Sequence, residues 1–480
     1  MFPENGFMSL KIIHSGTLIG AKGVVKADLL IDGEKIAATG HDFKVPGAEV
    51  IDASGKLVMP GGVDPHTHFD LPMFNTVSSD DHYTGHKAAA FGGTTTVLDF
   101  IPFDYPTLVE SVDAWHFNAD EKAAIDFGFH MNITKLNNQI LTEIPKLIDE
   151  GITSLKVFTA YNKRLRLQDG EILKVMRCGS NHGLLTMLHG ENGDVIELLT
   201  EEALEKGYTE PIWHARTRPA TGATESIITG IALAEQAGSP LYVVHVNTFG
   251  GKDQINYGRT RGLPVMGETC PQYLFFTEDH LLRPDGAKWV CSPPVRTAKD
   301  NEALWGGLAD GTLQVFSTDH CPFFYDGTRE IEYEGELIAI PGKELGADDF
   351  TKIPNGLPGV GDRMPILWTF GVGEGRISPN QFVALTSTNP AKIFGLYPRK
   401  GALLPGSDAD IVIWDPTRPI KYGLAHSHHR TDYNLYEGWD LMGFPEKVLL
   451  RGQVIVDGEK WLGKRGMGRF QRREPGAEEI

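Results

Sequence analysis

The sequence predicts an α/β protein: a (β/α)8 TIM-like barrel carrying a small β-sandwich assembled from the N- and C-terminal segments. Three observations lead there. Apolar strand-like runs alternate with helical stretches through the middle of the chain. Short strand-and-turn patterns occupy both ends. Residues suited to binding metal recur where the apolar runs stop.

At the N-terminal end, residues 10–13, 26–31, 35–39 and 49–51 read as strands, with Asp32-Gly33 as a hairpin turn. Residues 447–450 and 453–456 repeat the pattern, and VIVDGEKW at 454–461 echoes LIDGEKIA at 30–37. One sheet domain built from residues 1–58 and 398–463 is therefore expected, with the charged stretch 464–480 as an arm. The barrel takes residues 59–397. Its strand candidates are 56–59, 95–100, 127–133, 154–158, 184–188, 241–246, 263–267 and 313–316. These are continuous Val/Leu/Ile/Phe runs, as parallel strands covered on both faces should be. Between them, 81–91, 108–124, 139–150, 170–181, 224–237, 253–262 and 300–309 have helical character. The Gly/Pro-rich stretch 340–365 predicts a long loop after the eighth strand, on the face where barrel active sites gather.

Composition narrows the functional classes. The chain has 480 residues, and its hydrophobic fraction of 41% argues against disorder. A net charge of −18 speaks against nucleic acid or anionic membrane as a partner. Cys178, Cys270, Cys291 and Cys321 lie far apart, which excludes a disulfide framework or a thiolate zinc knot. No stretch approaches the ~18 apolar residues of a membrane span. The opening MFPENGFMSL lacks the basic-then-apolar order of a signal peptide, so a cytoplasmic protein is expected.

The chemistry gathers at strand ends. In GGVDPHTHFD, His66 and His68 stand at i and i+2, on one face of an extended segment. His189 follows LLTML, His245 lies near the end of LYVVHV, and Asp319 follows QVFST. Among 17 histidines, chance alone supplies about 0.6 H-x-H pairs. A second pair, His426 and His428, follows no apolar strand and reads as a solvated loop. What singles out the others is that four histidines and an aspartate all terminate barrel strands, which predicts a metal site. Lys156 stands inside strand four, on the face opposite Leu155 and Val157. A buried ammonium beside metal ions is disfavoured by desolvation and by like charge. Two readings follow. Lys156 is paired with a carboxylate elsewhere, or it is a neutral amine that has captured CO2 as a carbamate, an oxygen ligand two metals would share.

Lesser candidates surround these. Glu191 and Asn192 read equally as support for His189 or as a helix start. Asp70 and Asp99 divide between support and capping, and Cys270, Cys291 and Cys321 read as inert buried thiols. Met73, Phe74, Phe158 and Leu165 are expected to face a substrate's substituent, with core packing as the alternative for Phe158.

The chain resembles the cyclic amidohydrolases, and most closely their dihydropyrimidinase/D-hydantoinase branch. The phrases that carry the resemblance are GGVDPHTHFDLPM, SSDDHYTGHKAAAFGGTTTVLDF, SLKVFTAY, MLHGENGDVI, VVHVN, GETCPQYL, CSPPVR, FSTDHCPF and IPNGLPGVGDRM, followed by NPAKIFGLYPRKGALLPGSDADIVIWDP and GKRGMGRF. The resemblance implies that His66, His68, carboxylated Lys156 (N6-carboxylysine) and Asp319 hold one divalent ion. Lys156, His189 and His245 hold a second, with a hydroxide between the two. Zinc is the family habit, with manganese, cobalt and nickel as alternatives. It further implies that Tyr161 donates to an oxyanion, that backbone groups of Ser292 and Asn355 hold a ring amide, and that Asp319 moves the proton. The expected activity is ring opening of 5-substituted hydantoins or 5,6-dihydropyrimidines to N-carbamoyl amino acids, by a homo-oligomer, a tetramer or a dimer. Dihydroorotases carry arginine and allantoinases asparagine where this chain has Asp70, which disfavours both substrates. The alternatives are an allantoinase-like hydrolase of cyclic ureides and a non-catalytic dihydropyrimidinase-related scaffold. All six ligands and Tyr161 are present, whereas such scaffolds have lost metal ligands.

Overall fold

A computed structural model describes residues 10–73, 75–333 and 335–475. Phe74 and residues 476–480 of the expected arm lie outside the described residues. Eight parallel strands run in sequence order: Gly62–Thr67, Thr94–Ile101, Asp126–Asn132, Ser154–Phe158, Leu185–His189, Leu241–Val243, Val265–Thr269 and Val315–Phe316. A parallel bridge between Thr67 and His320 joins the first strand to the segment after the eighth, closing the barrel.

The first strand corrects the sequence reading. The run 56–59, expected to open the barrel, falls in the terminal sheet, where Leu57–Pro60 pairs with Leu10–Ile19 and Ile411–Lys421. The true first strand carries Asp64, Pro65 and His66 and is buried throughout. Its buried positions are polar because they face the barrel mouth, so an apolar-run criterion passes over it.

Alternation divides the strand residues between two cores. Val63, Leu98, Phe100, Leu185, Met187, Tyr242, Val244, Met266 and Val315 fill the barrel, closed off by Ile393, Phe394 and Leu396. Val97, Ile101, Leu155, Val157 and Leu188 face the surrounding helices. Each helix between strands covers apolar strand surface, as the period-2 arrangement of a parallel barrel demands. Several of the helices begin at a side-chain cap: Thr107 accepts from Glu110 N, Asn192 from Val195 N and Thr297 from Asp300 N. Helix Gly193–Glu205 has no counterpart in the sequence reading. The expected loop 340–365 is preceded by a hairpin, Arg329–Tyr333 with Glu336–Ile340, whose Ile331 and Ile340 pack on Val77 and Phe324.

The nine-stranded terminal sheet takes strands from both ends of the chain. A buried charge cluster fixes it to the barrel. Lys400 donates to Asp410 at 2.7 Å and to Asp126 at 2.5 Å, while Arg451 also pairs with Asp126, which opens barrel strand three. Residues 464–475 lie along the barrel: Phe470 packs on Phe127 and Phe129, Gln471 N donates to Phe127 O at 2.6 Å, and Arg473 is buried. Among the described residues, no helix is long and apolar enough to cross a membrane.

Candidate metal centre

The fold carries the predicted metal-binding side chains to the C-terminal mouth of the barrel. His66 lies on strand one and His68 just past it, Lys156 within strand four, and His189 at the end of strand five. His245 and Asp319 follow strands six and eight. His66, His68 and Asp319 offer ligand atoms that all lie within 4.8 Å of one another. His66 Nε2 is 3.0 Å and His68 Nε2 3.2 Å from the same Asp319 oxygen. His245 stacks obliquely on His66, with ring centroids 5.4 Å apart. Strand four, paired residue for residue with strand five, brings Lys156 Nζ to 3.1 Å from His66 Nε2.

The donor atoms fit divalent cations. Glu191 Oε2 accepts the Nε2 proton of His189 at 3.0 Å, which leaves a lone pair on Nδ1. That lone pair faces His245 Nε2 at 2.9 Å. Glu268 likewise takes the Nδ1 proton of His66, turning the Nε2 lone pair towards Asp319 and Lys156. Two carboxylates thus set two imidazoles in metal-binding tautomers. Lys156 is buried against the Phe100 ring, 3.9 Å from its centroid, and forms no ion pair with a carboxylate among the described residues.

Electrostatics follow from this dense burial. Burial pushes Lys156 down to about 8 and His68 down to about 3. Against the cost of burial, His66 and His68 hold Asp319 well below the usual carboxylate range. His189 and Arg218 hold Glu191 at about 2, again against burial. Burial, aided by Glu191, raises the Tyr161 phenol. Three of the site residues have left-handed backbones: Tyr161 at φ 65°, His245 at 38° and Asp319 at 54°. Such conformations cost of order 1–3 kcal/mol each and persist where the surroundings enforce them.

The remaining candidates separate cleanly. Tyr161 stands beside His189, ring centroids 5.3 Å apart. Ser292 and Asn355, distant in sequence, meet through Asn355 Nδ2 to Ser292 Oγ at 3.1 Å. Glu191 supports His189, whereas Asn192 caps helix Gly193–Glu205. Asp99 binds Thr67, the Phe69 amide and Trp115, bracing the H-x-H segment. Asp70 is buried with Lys122 at 3.3 Å. Cys270, Cys291 and Cys321 are buried, and burial raises each thiol. Phe158 is buried beside His189, while Met73 and Leu165 are half-buried. His428 is not in a solvated loop: its ring stacks on Phe91 at 3.6 Å. Glu268 is the residue the sequence reading missed.

The family model described as "Amidohydrolase family" matches residues 57–455. The chain belongs to the amidohydrolase family. Among curated relatives, this amidohydrolase is 45% identical to a D-hydantoinase of Geobacillus stearothermophilus over 96% of both chains. It is 40% identical to a D-phenylhydantoinase of Escherichia coli O81 (strain ED1a), over 97% of this chain and 98% of the relative. Among solved structures, dihydropyrimidinase from Brevibacillus agri NCHU1002 matches the amidohydrolase with a TM-score of 0.94 at 44% identity, covering 98% of this chain and 100% of that one.

Proposed function

We propose that this amidohydrolase opens the rings of 5-substituted hydantoins and 5,6-dihydropyrimidines, hydrolysing the cyclic amide to an N-carbamoyl amino acid. One observation carries the reading: His66, His68 and Asp319 converge at the barrel mouth of a chain 45% identical to a D-hydantoinase over nearly its whole length.

His66, His68, Lys156 and Asp319 would hold one divalent ion and Lys156, His189 and His245 a second, zinc by family habit. Bound there, such ions lower the pKa of water towards neutrality and polarise a carbonyl oxygen. Lys156 serves both positions as a carbamate: its neutral amine bonds to the carbon of CO2 and releases a proton to solvent. Its burial without a carboxylate partner supports this. Ser292 and Asn355 grip the ring amide through their backbones, so the scissile carbonyl is oriented before reaction. Asp319 accepts the proton of the attacking water and delivers it to the departing ring nitrogen. Tyr161 donates its hydroxyl proton in a hydrogen bond to the oxyanion, and its raised pKa keeps that proton in place. Phe158, buried beside His189, is placed to meet the substituent on the ring. The apolar side chains of Ile228, Phe249 and Tyr257, exposed on two neighbouring helices, support a homo-oligomer. Buried free thiols fit the reducing cytoplasm.

The test is the rate of ring opening by metal-reconstituted protein on dihydrouracil, 5-phenylhydantoin, allantoin and dihydroorotate. Turnover of either of the first two is the expected result, and their ratio gives the preferred ring. Turnover of allantoin or dihydroorotate alone would overturn the reading.

A further inference from the structure

Lys343 opens a one-turn 3-10 helix, Lys343–Gly346, just beyond the hairpin. It is only 1% exposed, and no carboxylate pairs with it among the described residues. Burying an ammonium in this way is costly, and burial pushes Lys343 down to about 7. An apolar side chain would fill the same space without that cost. The charge must therefore be explained by what it touches.

It touches two carbonyls. Lys343 Nζ donates to Val290 O at 2.9 Å and to Pro354 O at 3.1 Å. Val290 lies two residues before Ser292, and Pro354 immediately precedes Asn355. The amide of Gly356 donates to the same Val290 oxygen at 3.2 Å. Gly356 is glycine for a steric reason, because a Cβ there would meet Cys321 O at 2.1 Å. The Lys343 amide also donates to Phe324 O at 2.8 Å, in the segment that leaves Asp319. Three loops of the barrel mouth, at 290–292, 321–324 and 354–356, thus meet at one residue, the first and last through its side chain and the other through its backbone amide.

We propose that Lys343 is a positioning residue for substrate: by tying Val290 to Pro354 it sets the spacing of Ser292 and Asn355, which receive the ring. This rests on the ring-binding role assigned to those two residues under the proposed function. Loss of the tie lets the two backbones separate, and the ring is then presented poorly to Asp319 and Tyr161. Misplacement by about 1 Å is enough to cost orders of magnitude in rate. Lys343 contacts no metal-binding side chain, so metal content is untouched.

The test compares Lys343→Met and Lys343→Gln with wild type, as full chains loaded with zinc. Steady-state kinetics on dihydrouracil and 5-phenylhydantoin are read beside metal content, thermal unfolding and a crystal structure of each variant. The expected result for Lys343→Met is a kcat/KM lowered at least about tenfold with wild-type metal content. Lys343→Gln keeps N–H donors and falls between. Unchanged kcat/KM, with or without a lowered unfolding temperature, would overturn the proposal, leaving Lys343 a structural lysine. If Lys343→Met does not fold, Lys343→Gln decides by the same criterion. If wild type opens neither ring, the ring-opening reading fails separately. The Lys343→Met crystal structure then decides: Ser292 Oγ and Asn355 Nδ2 moving apart supports the tie, and their staying at 3.1 Å overturns it.

Discussion

His189 Nδ1 and His245 Nε2 face each other at 2.9 Å, the former with its lone pair exposed because Glu191 holds the proton on the opposite nitrogen. Such an arrangement is at ease with a cation between the rings. Exhaustive chelation is therefore expected to destabilise the fold as well as abolish turnover, because a ligand bound only by the native state stabilises it. Thermal unfolding before chelation, after it, and after zinc is returned checks this: a drop and a recovery are expected.

Glu268 fixes the tautomer of His66 and also accepts from Tyr242 at 2.7 Å. Replacing a carboxylate that orients a metal-binding histidine typically costs about 10–100-fold in metal affinity. Glu268→Gln is expected to weaken zinc binding by that amount, measured in competition with a chromophoric chelator.

Lys156→Ala is expected to lose metal and activity together. Wild-type protein refolded with isotope-labelled bicarbonate should show a labelled carbamate carbon by NMR, and the variant should not. Full metal content in Lys156→Ala would remove the bridging role.

Tyr161→Phe keeps the ring beside His189 and deletes only the donor. Loss of one oxyanion donor costs about 10²–10³-fold in kcat. The variant should show that loss at unchanged zinc content, by metal analysis and steady-state kinetics; unchanged turnover would remove Tyr161 from the mechanism.

Asp80 is buried, bonded to His320 at 3.1 Å and to the Arg430 amide at 3.0 Å. Against the cost of burial, His320 lowers it to about 2. A carboxylate depressed in the folded state adds stability above its unfolded pKa, and that contribution disappears as pH falls through the folded value. Asp80→Asn should therefore be less stable than wild type at pH 7 by about 2–3 kcal/mol. The gap should close between about pH 4 and the folded value, in urea titrations at stepped pH.

Lys156 and Glu268 show what could and could not be read in one sequence. Each is the one charge in its buried strand, and alternation places both inside the barrel. Lys156 stands out because Leu155 and Val157 flank it, whereas Glu268, between Gly267 and Thr269, lies just past the apolar run 263–267 and reads as the start of a loop. The first barrel strand was harder. Its polar residues serve the site, so its composition resembles a loop, and the apolar run before it drew the assignment. Helix Gly193–Glu205 is legible after all: Val195, Ile196, Leu199 and Ala203 fall at helical spacing behind the Asn192 cap, although only Gly193 and Ala203 are fully buried. The hairpin 329–340 buries two isoleucines and shows charge elsewhere. The meeting of Ser292 with Asn355, and of both loops with Lys343, spans separations no local pattern records.

The terminal sheet has a consequence for biosynthesis. Strand Leu57–Pro60 pairs on one edge with Leu10–Ile19, but its other edge waits for Ile411–Lys421. At ribosomal speeds of about 5–20 residues per second, that partner emerges roughly 20–70 s later. Throughout that interval the nascent chain carries an open strand edge, so early folding is exposed to mispairing between neighbouring polysomal chains. Whatever guards the newborn enzyme must act on its first sixty residues until the last seventy are made.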